Sequence, residues 1–528
     1  LTKNYWQAYK NTTFPEVSSM THSQNAAVAL LKPNLELRGD RTAIIAGDRS
    51  VSYKMLDLQS SRFASLLRGR GVSPGERVAI VAGDSPEYIF ALLGCLKLGT
   101  PPVLLNTSLF EEDYEYILND CGAVFLITEK ESAALAARSS DLRGTILLDE
   151  GCFPDELAAA SVDIIPHAPT VEEIAFILYS SGSTGSPKGV PHRHGDMIVS
   201  ADAFAGKVLG MNEQDVVFSA SKLPFAYGLG NSFSFPLRFG ATVVLFPGKP
   251  ESADIIRCIE GNGVTLFFGV PIAYNMLLKT MGNGARLSSL RLCISAGEPL
   301  PAPLYREWKK ATGVELLDGI GSTEALHIYI SNRPETALPG TAGSIIPPFE
   351  ARIVDEAGLP VPPATPGRLQ LRGPCITPCY WNNPEKTARS MLADGWLETG
   401  DIFVEERGCF TFQGRVDDLF KVDAHWVSPV RVESVLQEHP GVMECAVGQR
   451  SVEHLTRPIA FVVVNRGHEP GPSLERELRR FCLRKLPPYM CPVQIEFLEE
   501  LPKTATGKIL RARLKRAGLL GGNNGESG

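Results

Sequence analysis

The sequence predicts an α/β fold in several units, and three observations carry that expectation. From about residue 240 to 320, short β-rich runs alternate with helical patterns, the order that builds a parallel sheet with helices on its faces. From about 340 to 414 the pattern turns to short strands and Pro/Gly turns, which suits a small β-barrel or sandwich subdomain. The polar stretch Gly414-Arg415-Val416-Asp417-Asp418 then leads into a compact α+β region that runs to about 518. A chain of 528 residues exceeds one ordinary core. Roughly one domain per 150 residues allows about three or four units. The expected division is a large N-terminal domain of parallel-type αβα subdomains and the small barrel over 1–413, a break over 414–418, and a small mobile C-terminal domain over 419–528. A disordered tail is expected from about 519, where Gly, Asn and Ser dominate.

In chain order, residues 77–82 (Arg-Val-Ala-Ile-Val-Ala) read as a strand, 86–98 as a helix that opens on proline, and 123–127 as a second strand. Residues 175–178 (Ala-Phe-Ile-Leu) form a buried-type strand. The downstream series has strands at 241–246, 264–268, 291–295 and 314–318, with helices at 252–261, 271–281 and 302–312 between them. Ligands of such sheets bind beyond the carboxyl ends of the strands. In the last domain, 459–464 is a strand and 473–486 a helix.

Composition narrows the function classes. Apolar residues make up 44% and charged ones 21%, the profile of a globular protein. A net charge of −7 argues against a broad nucleic-acid surface and leaves small-molecule chemistry as the expectation. No apolar run approaches the ~18 residues of a membrane span, and the first residues lack a signal-peptide core, so no membrane partner and a cytoplasmic location are expected. The 11 cysteines are scattered, and Cys375 and Cys379 lack a partner pair, so free and mostly buried thiols are expected rather than a zinc site or disulfide framework.

The strand at 175–178 runs into Tyr179-Ser180-Ser181-Gly182-Ser183-Thr184-Gly185-Ser186-Pro187-Lys188-Gly189-Val190. Here Gly182, Gly185 and Gly189 permit positive φ and close approach to an anion, Ser180, Ser181, Ser183 and Thr184 offer donors, and Lys188 adds a positive charge. The pattern is neither a Walker loop nor a dinucleotide fingerprint. A phosphate cradle suits it better than a surface linker, because linkers do not usually follow a buried-type strand.

Downstream lie Ser295-Ala-Gly-Glu-Pro299, Asp318-Gly-Ile-Gly-Ser-Thr-Glu324, Trp396-Leu-Glu-Thr-Gly-Asp401, Gly414-Arg-Val-Asp-Asp418 and Leu501-Pro-Lys-Thr-Ala-Thr-Gly-Lys508. Together with the glycine loop, in this order and over about 25–515, they resemble the adenylate-forming superfamily of acyl-CoA synthetases, adenylation domains and luciferases. That resemblance implies ATP, Mg2+ and coenzyme A: a carboxylate is first activated as an acyl-adenylate with release of pyrophosphate, and a thiol then displaces AMP. It implies that Lys508 bridges carboxylate and α-phosphate, that the Thr323 hydroxyl touches phosphate, and that Glu324 helps hold magnesium. It further implies a nucleotide site of Ser180–Gly185, Lys188, Gly297, Glu298, Pro299, Asp318 at the adenine amino group, Gly319, Ile320, Gly321, Ser322, Thr323, Asp401 on the ribose hydroxyls, and Arg415. A phenylalanine shortly before Arg415 is given no role in that site. Asp417 matches the hinge position, and Lys421 and Ala424 match a thiol tunnel. Three departures stand out. Ile320 replaces an aromatic residue common in relatives, Ala424 replaces a tunnel glycine, and Arg431 replaces a glutamate and is expected on a helix surface.

Residues 224–231, 267–271 and 319–327 resemble the benzoate-CoA ligase branch. By that resemblance Ala226, Tyr227, Gly228, Phe235, Gly297, Ser322 and His327 bind the acid in a short pocket sized for one aromatic ring, with His327 as a polar donor at its floor. Benzoate, 2-aminobenzoate and hydroxybenzoates are the candidate acids, and phenylalanine packing or a satisfied core histidine are the plain alternatives. Two other readings stand beside the aryl-CoA ligase: a stand-alone adenylating enzyme that loads a separate carrier protein, and an inactive nucleotide- or aryl-acid-binding regulator. A homodimer is compatible with each.

Overall fold

The computed structural model describes residues 24–180, 186–281, 287–423, 425–452, 455–465, 467–503, 509 and 514. Two large sheets organise the N-terminal part. The first holds six strands in the order Gly144–Leu147, Ala123–Thr128, Arg77–Val81, Pro102–Leu104, Ile174–Ser180, Lys188–Arg193. Its first five are parallel and the last turns back antiparallel. The second holds nine, with a parallel centre of Leu316–Gly321, Leu292–Ala296, Leu266–Gly269, Val216–Ser219, Thr242–Leu245 and Thr42–Ala46. Antiparallel strands Ile328–Ser331 and Ser344–Ile345 extend one side, and Arg49–Ser52 the other.

Local signals explain the helices. Pro86–Leu98 begins where Ser85 accepts a hydrogen bond from the Tyr88 amide at 3.2 Å and proline occupies the first turn, and it stops at Gly99 in the left-handed region. It is apolar all round because it is buried all round. Pro271–Met281 and Ala302–Thr312 instead carry one apolar face each, and Tyr274 meets Trp308 edge-on at 4.9 Å between them and the second sheet.

The β-rich region expected after 340 is a four-stranded antiparallel sheet, ordered Glu350–Val354, Gly367–Arg372, Leu397–Glu406, Cys409–Arg415. It shares a core with the site-bearing strands, through Tyr329, Ile330 and Ala325 against Leu369, Leu371 and Phe403. Beyond Arg415, a two-stranded ribbon (Phe420–Val422, His425–Val427) precedes a three-stranded sheet (Val442–Val452, Leu455–Val464, Gln494–Phe497) covered by helices Pro429–Gln437 and Pro472–Leu483 around their own core. Arg431 is exposed on the first of these helices, as expected. The cysteines are free and most are buried. Among the described residues no helix is long and apolar enough to cross a membrane.

Candidate functional site

The site forms where the carboxyl ends of both large sheets meet the edge of the antiparallel sheet. Ile174–Ser180 and Lys188–Arg193 are a hairpin, with Ser180 opposite Lys188 and Tyr179 opposite Gly189. The glycine-rich segment is therefore the tip of an antiparallel pair. Ser181, Gly182, Ser183, Thr184 and Gly185 lie outside the described residues. Gly189 corrects one expectation: it lies in a strand without positive φ, and glycine is required there because a Cβ would sit 2.7 Å from the Cβ of Trp381. Next to the tip the hairpin is pinned by Asp120, which accepts from the Tyr179 hydroxyl at 2.5 Å and, through its carbonyl, from Trp381 Nε1 at 3.2 Å and Asn382 Nδ2 at 2.7 Å.

Lys188 opens the return strand and faces a charged group. Burial lowers its pKa, Lys386 and Arg415 push the same way, and Glu324 and Asp417 oppose them. Four of the residues singled out from sequence thus surround one place. Glu324 Oε1 accepts from the Tyr380 hydroxyl at 2.8 Å, and the Glu324 carbonyl accepts from the Thr377 amide at 2.8 Å. Asp401 is buried on the antiparallel sheet directly opposite Arg415, and its Oδ1 lies 2.9 Å from the guanidinium. Asp417 follows on the short turn Val416–Asp418.

The phenylalanine ahead of Arg415 is Phe412, and residue 413 is Gln413. On the strand Cys409–Arg415 neighbouring side chains point to opposite faces. The Phe412 ring packs edge-on against Phe403 at 5.4 Å in the core of the antiparallel sheet, while the Gln413 carbonyl accepts from the Ser428 hydroxyl.

Thr323 and Glu324 lie in the turn that joins Leu316–Gly321 to Ile328–Ser331. Its backbone is held at unusual angles: Leu326 has φ of 67°, and the His327 amide donates to the Ala325 carbonyl at 2.8 Å, a positive-φ γ-turn. Non-glycine residues adopt such angles at a cost of order 1–3 kcal/mol when the surroundings impose them. Ser322 Oγ supports the same turn by accepting from the Ala325 amide at 3.3 Å. From the neighbouring sheet, His192 Nε2 donates to the Thr323 carbonyl at 2.8 Å, while its Nδ1 lies 3.2 Å from Asp196 Oδ2. Both side chains are fully buried.

On the strand that leads into this turn, Asp318 is buried, and its Oδ2 accepts from the Leu300 amide at 3.1 Å. Burial raises its pKa to about 8 against the pull of the Leu300 and Gly319 amides, so the group holds a proton at neutral pH. Gly319, Ile320 and Gly321 complete the strand, with Ile320 partly buried opposite Ile330. Gly297 takes φ of 94° just past Leu292–Ala296, leading to Glu298 and Pro299. Glu298 Oε1 accepts from the Ile509 amide at 3.2 Å. Ile509 follows Lys508 in the chain. Lys508 itself and Ala424 lie outside the described residues. Lys421 is exposed and stands over the Trp426 ring at 4.6 Å, on the two-stranded ribbon.

The acid pocket expected from sequence gathers on the short helix Ala226–Leu229, which includes Gly228, and the strand end at His327. The rings of Tyr227 and His327 lie 5.4 Å apart. The Tyr227 hydroxyl points into the sheet, donating to the carbonyls of Ile294 at 3.1 Å and Gly269 at 3.3 Å, which leaves the ring as a wall. Phe235 is fully buried and meets His327 edge-on at 4.5 Å. Gly230 passes so close that a Cβ would lie 2.3 Å from the His327 ring.

Sequence reasoning missed His192, Asp196, Phe204, Asn231 and Tyr380. Phe204 lies 5.5 Å from His327 inside a segment that reads as an ordinary apolar helix, and gave no signal. Asn231 gave none either, since Ser232 and Ser234 beside it make the run Leu229–Phe235 mixed in polarity.

Among the described residues no group of three or more His, Cys, Asp and Glu gathers as a metal cage. One carboxylate, Glu324, standing beside the cations Lys188 and Arg415 fits Mg2+, which takes one or two carboxylates and fills its shell with phosphate oxygens and water.

Comparison with known proteins agrees with this geometry. The AMP-binding enzyme family matches residues 31–381, and the AMP-binding enzyme C-terminal domain matches 431–508. A benzoate–CoA ligase of Thauera aromatica is 40% identical over 516 residues, 95% of this chain and 98% of the relative. An anthranilate–CoA ligase of Pseudomonas aeruginosa is 33% identical over 468 residues, 87% of this chain and 89% of the relative. Among solved structures, an anthranilate CoA ligase in complex with anthranoyl-AMP has a TM-score of 0.90 at 38% identity, covering 94% of this chain and 97% of its own. A benzoate CoA ligase from Burkholderia xenovorans LB400 has a TM-score of 0.87 at 39% identity, covering 93% and 99%. The chain belongs to the AMP-binding enzymes of the adenylate-forming superfamily, in the benzoate-type aryl-CoA ligase branch.

Proposed function

We propose that this chain is an ATP-dependent aryl-CoA ligase for single-ring aromatic acids. The observation that carries the acid class is the pairing of the Tyr227 ring with a buried His327 floor, three residues beyond Glu324 on the same turn. In the first step a carboxylate oxygen attacks the α-phosphorus, the bond to the β-phosphate oxygen breaks, and pyrophosphate leaves. Charge concentrates on the phosphates, where Lys188, Arg415 and the Thr323 hydroxyl stand. Mg2+, when held by Glu324, neutralises phosphate charge there. Asp401 binds the ribose hydroxyls, and Asp318 marks the adenine end. Lys508 draws the carboxylate and α-phosphate together, and the Ile509–Glu298 bond supports that placing. In the second step a coenzyme A thiol, losing its proton, attacks the aryl carbonyl carbon, and AMP leaves with the bonding electrons. The domain division at 414–418, with Asp417 as its hinge, accounts for one site serving both steps.

The test is pyrophosphate release from ATP and benzoate without thiol, followed by addition of coenzyme A or a phosphopantetheinylated carrier protein. Release followed by benzoyl-CoA formation is expected. Transfer to the carrier alone would favour the stand-alone adenylating reading, and no release would favour a binding protein.

A further inference from the structure

Resting on the reading of Ala226, Tyr227 and His327 as the acid pocket, we infer that His327 presents a bare acceptor nitrogen, so that the pocket selects aromatic acids whose ring substituent donates a hydrogen bond. Amino and hydroxyl groups meet that requirement. Methyl and fluoro groups of similar size do not.

Backbone carbonyls fix the direction of every bond in the chain that ends at this ring. His327 Nε2 lies 3.3 Å from the Tyr227 carbonyl and 3.2 Å from Asn231 Oδ1. A carbonyl only accepts, so Nε2 carries the proton whichever way the Asn231 amide is turned. The next links agree. Asn231 Nδ2 donates to Ser219 Oγ at 3.3 Å, and the Ser219 hydroxyl donates to the Ser221 carbonyl at 3.1 Å while accepting from the Ser221 amide at 3.2 Å. Protons therefore point one way, from His327 to Ser221.

The other ring nitrogen follows from the first. His327 is buried among Phe204, Tyr227 and Phe235, and burial lowers its pKa to about 3, so the ring is neutral. A neutral imidazole protonated at Nε2 leaves Nδ1 as an acceptor. That Nδ1 is buried and bonds to no group among the described residues. An unpaired buried acceptor is costly, and a donor on the bound ring relieves that cost. The donor expected at the pocket floor from sequence is thus corrected to an acceptor, because the donating nitrogen is already committed inside the protein. Asn231 and Ser219 act through His327 and are positioning residues.

The experiment compares kcat/KM for matched acids at each ring position: amino- against methylbenzoate, and hydroxy- against fluorobenzoate, with benzoate as reference. At one ring position at least, the donor acid is expected to exceed its isostere by about tenfold in both pairs. His327→Phe is expected to bring both ratios near one. Ratios near one at every position in the unmodified enzyme, or ratios that survive in His327→Phe, overturn the inference while benzoate turnover leaves the aryl-acid reading standing. Absence of benzoate turnover overturns that reading itself. Should His327→Phe fail to fold, nitrogen NMR of the unmodified protein decides: Nδ1 is expected unprotonated, and shifted by the preferred amino acid substrate but not by its methyl isostere. A protonated Nδ1 would overturn the inference.

Discussion

Glu324 and Tyr380 show how a single residue's role depends on a neighbour brought from another element. The Tyr380 hydroxyl, 2.8 Å from Oε1, aims a carboxylate that would otherwise rotate in a charged cleft. Removing that bond in Tyr380→Phe is expected to lower kcat/KM for ATP about tenfold, whereas Glu324→Gln, which takes away the metal-binding charge, is expected to lower it at least about a hundredfold. Pyrophosphate release measures both, and equal losses would contradict the aiming role. Asp318 gives a pH signature. Its pKa of about 8 lies above the ordinary 3.8, so between those values the folded state holds more protons than the unfolded one. Stability from this group is then lost as pH rises through that window. The Tm advantage of Asp318→Asn over the unmodified protein is therefore expected to grow from pH 5 to pH 8. A constant difference would mean that the carboxyl is ionised throughout.

Among the elements, the hairpin ending at Arg193 and the turn at 322–327 are coupled across the two large sheets by His192. Its Nε2 bond to the Thr323 carbonyl ties the strand that Lys188 opens to the turn that carries Glu324. His192→Leu leaves that carbonyl and buried Asp196 each short of a donor, so a lower Tm is expected. A positioning role further predicts that KM for ATP rises several-fold more than KM for benzoate. Equal changes in both would make His192 purely structural. The individual elements were largely legible: helices at 271–281 and 302–312 match their apolar periodicity, the second stopping at Gly313, and the strands at 264–268 and 291–295 match to within two residues. The couplings were not. His192 bonds a carbonyl 131 residues away in the chain, and local spacing carries no record of such a bond. The motif at 179–190 likewise marked a loop without telling that the chain returns antiparallel, because strand direction is decided by what the next apolar run packs against.

At the scale of the whole molecule, the C-terminal domain rests on the large domain through Ile509 on Glu298 and through Lys279 on Asn465 at 3.0 Å. This docking brings Ile509, the residue after Lys508, to Glu298 on the large domain. Lys508→Ala is accordingly expected to lose most adenylation while still allowing thiolysis of supplied benzoyl-adenylate, because its phosphate is a leaving group by the second step. Equal losses in both half-reactions would contradict a domain rotation between them. The order of motifs made the family readable from sequence. The acid class depends instead on how Tyr227, Phe204, Asn231 and His327 converge from separate elements. The most direct measurement is therefore kcat/KM for benzoate against octanoate with the unmodified enzyme. The aryl pocket predicts that benzoate is favoured by a hundredfold or so, since a chain has nowhere to extend past His327. Octanoate turnover equal to that of benzoate would contradict it.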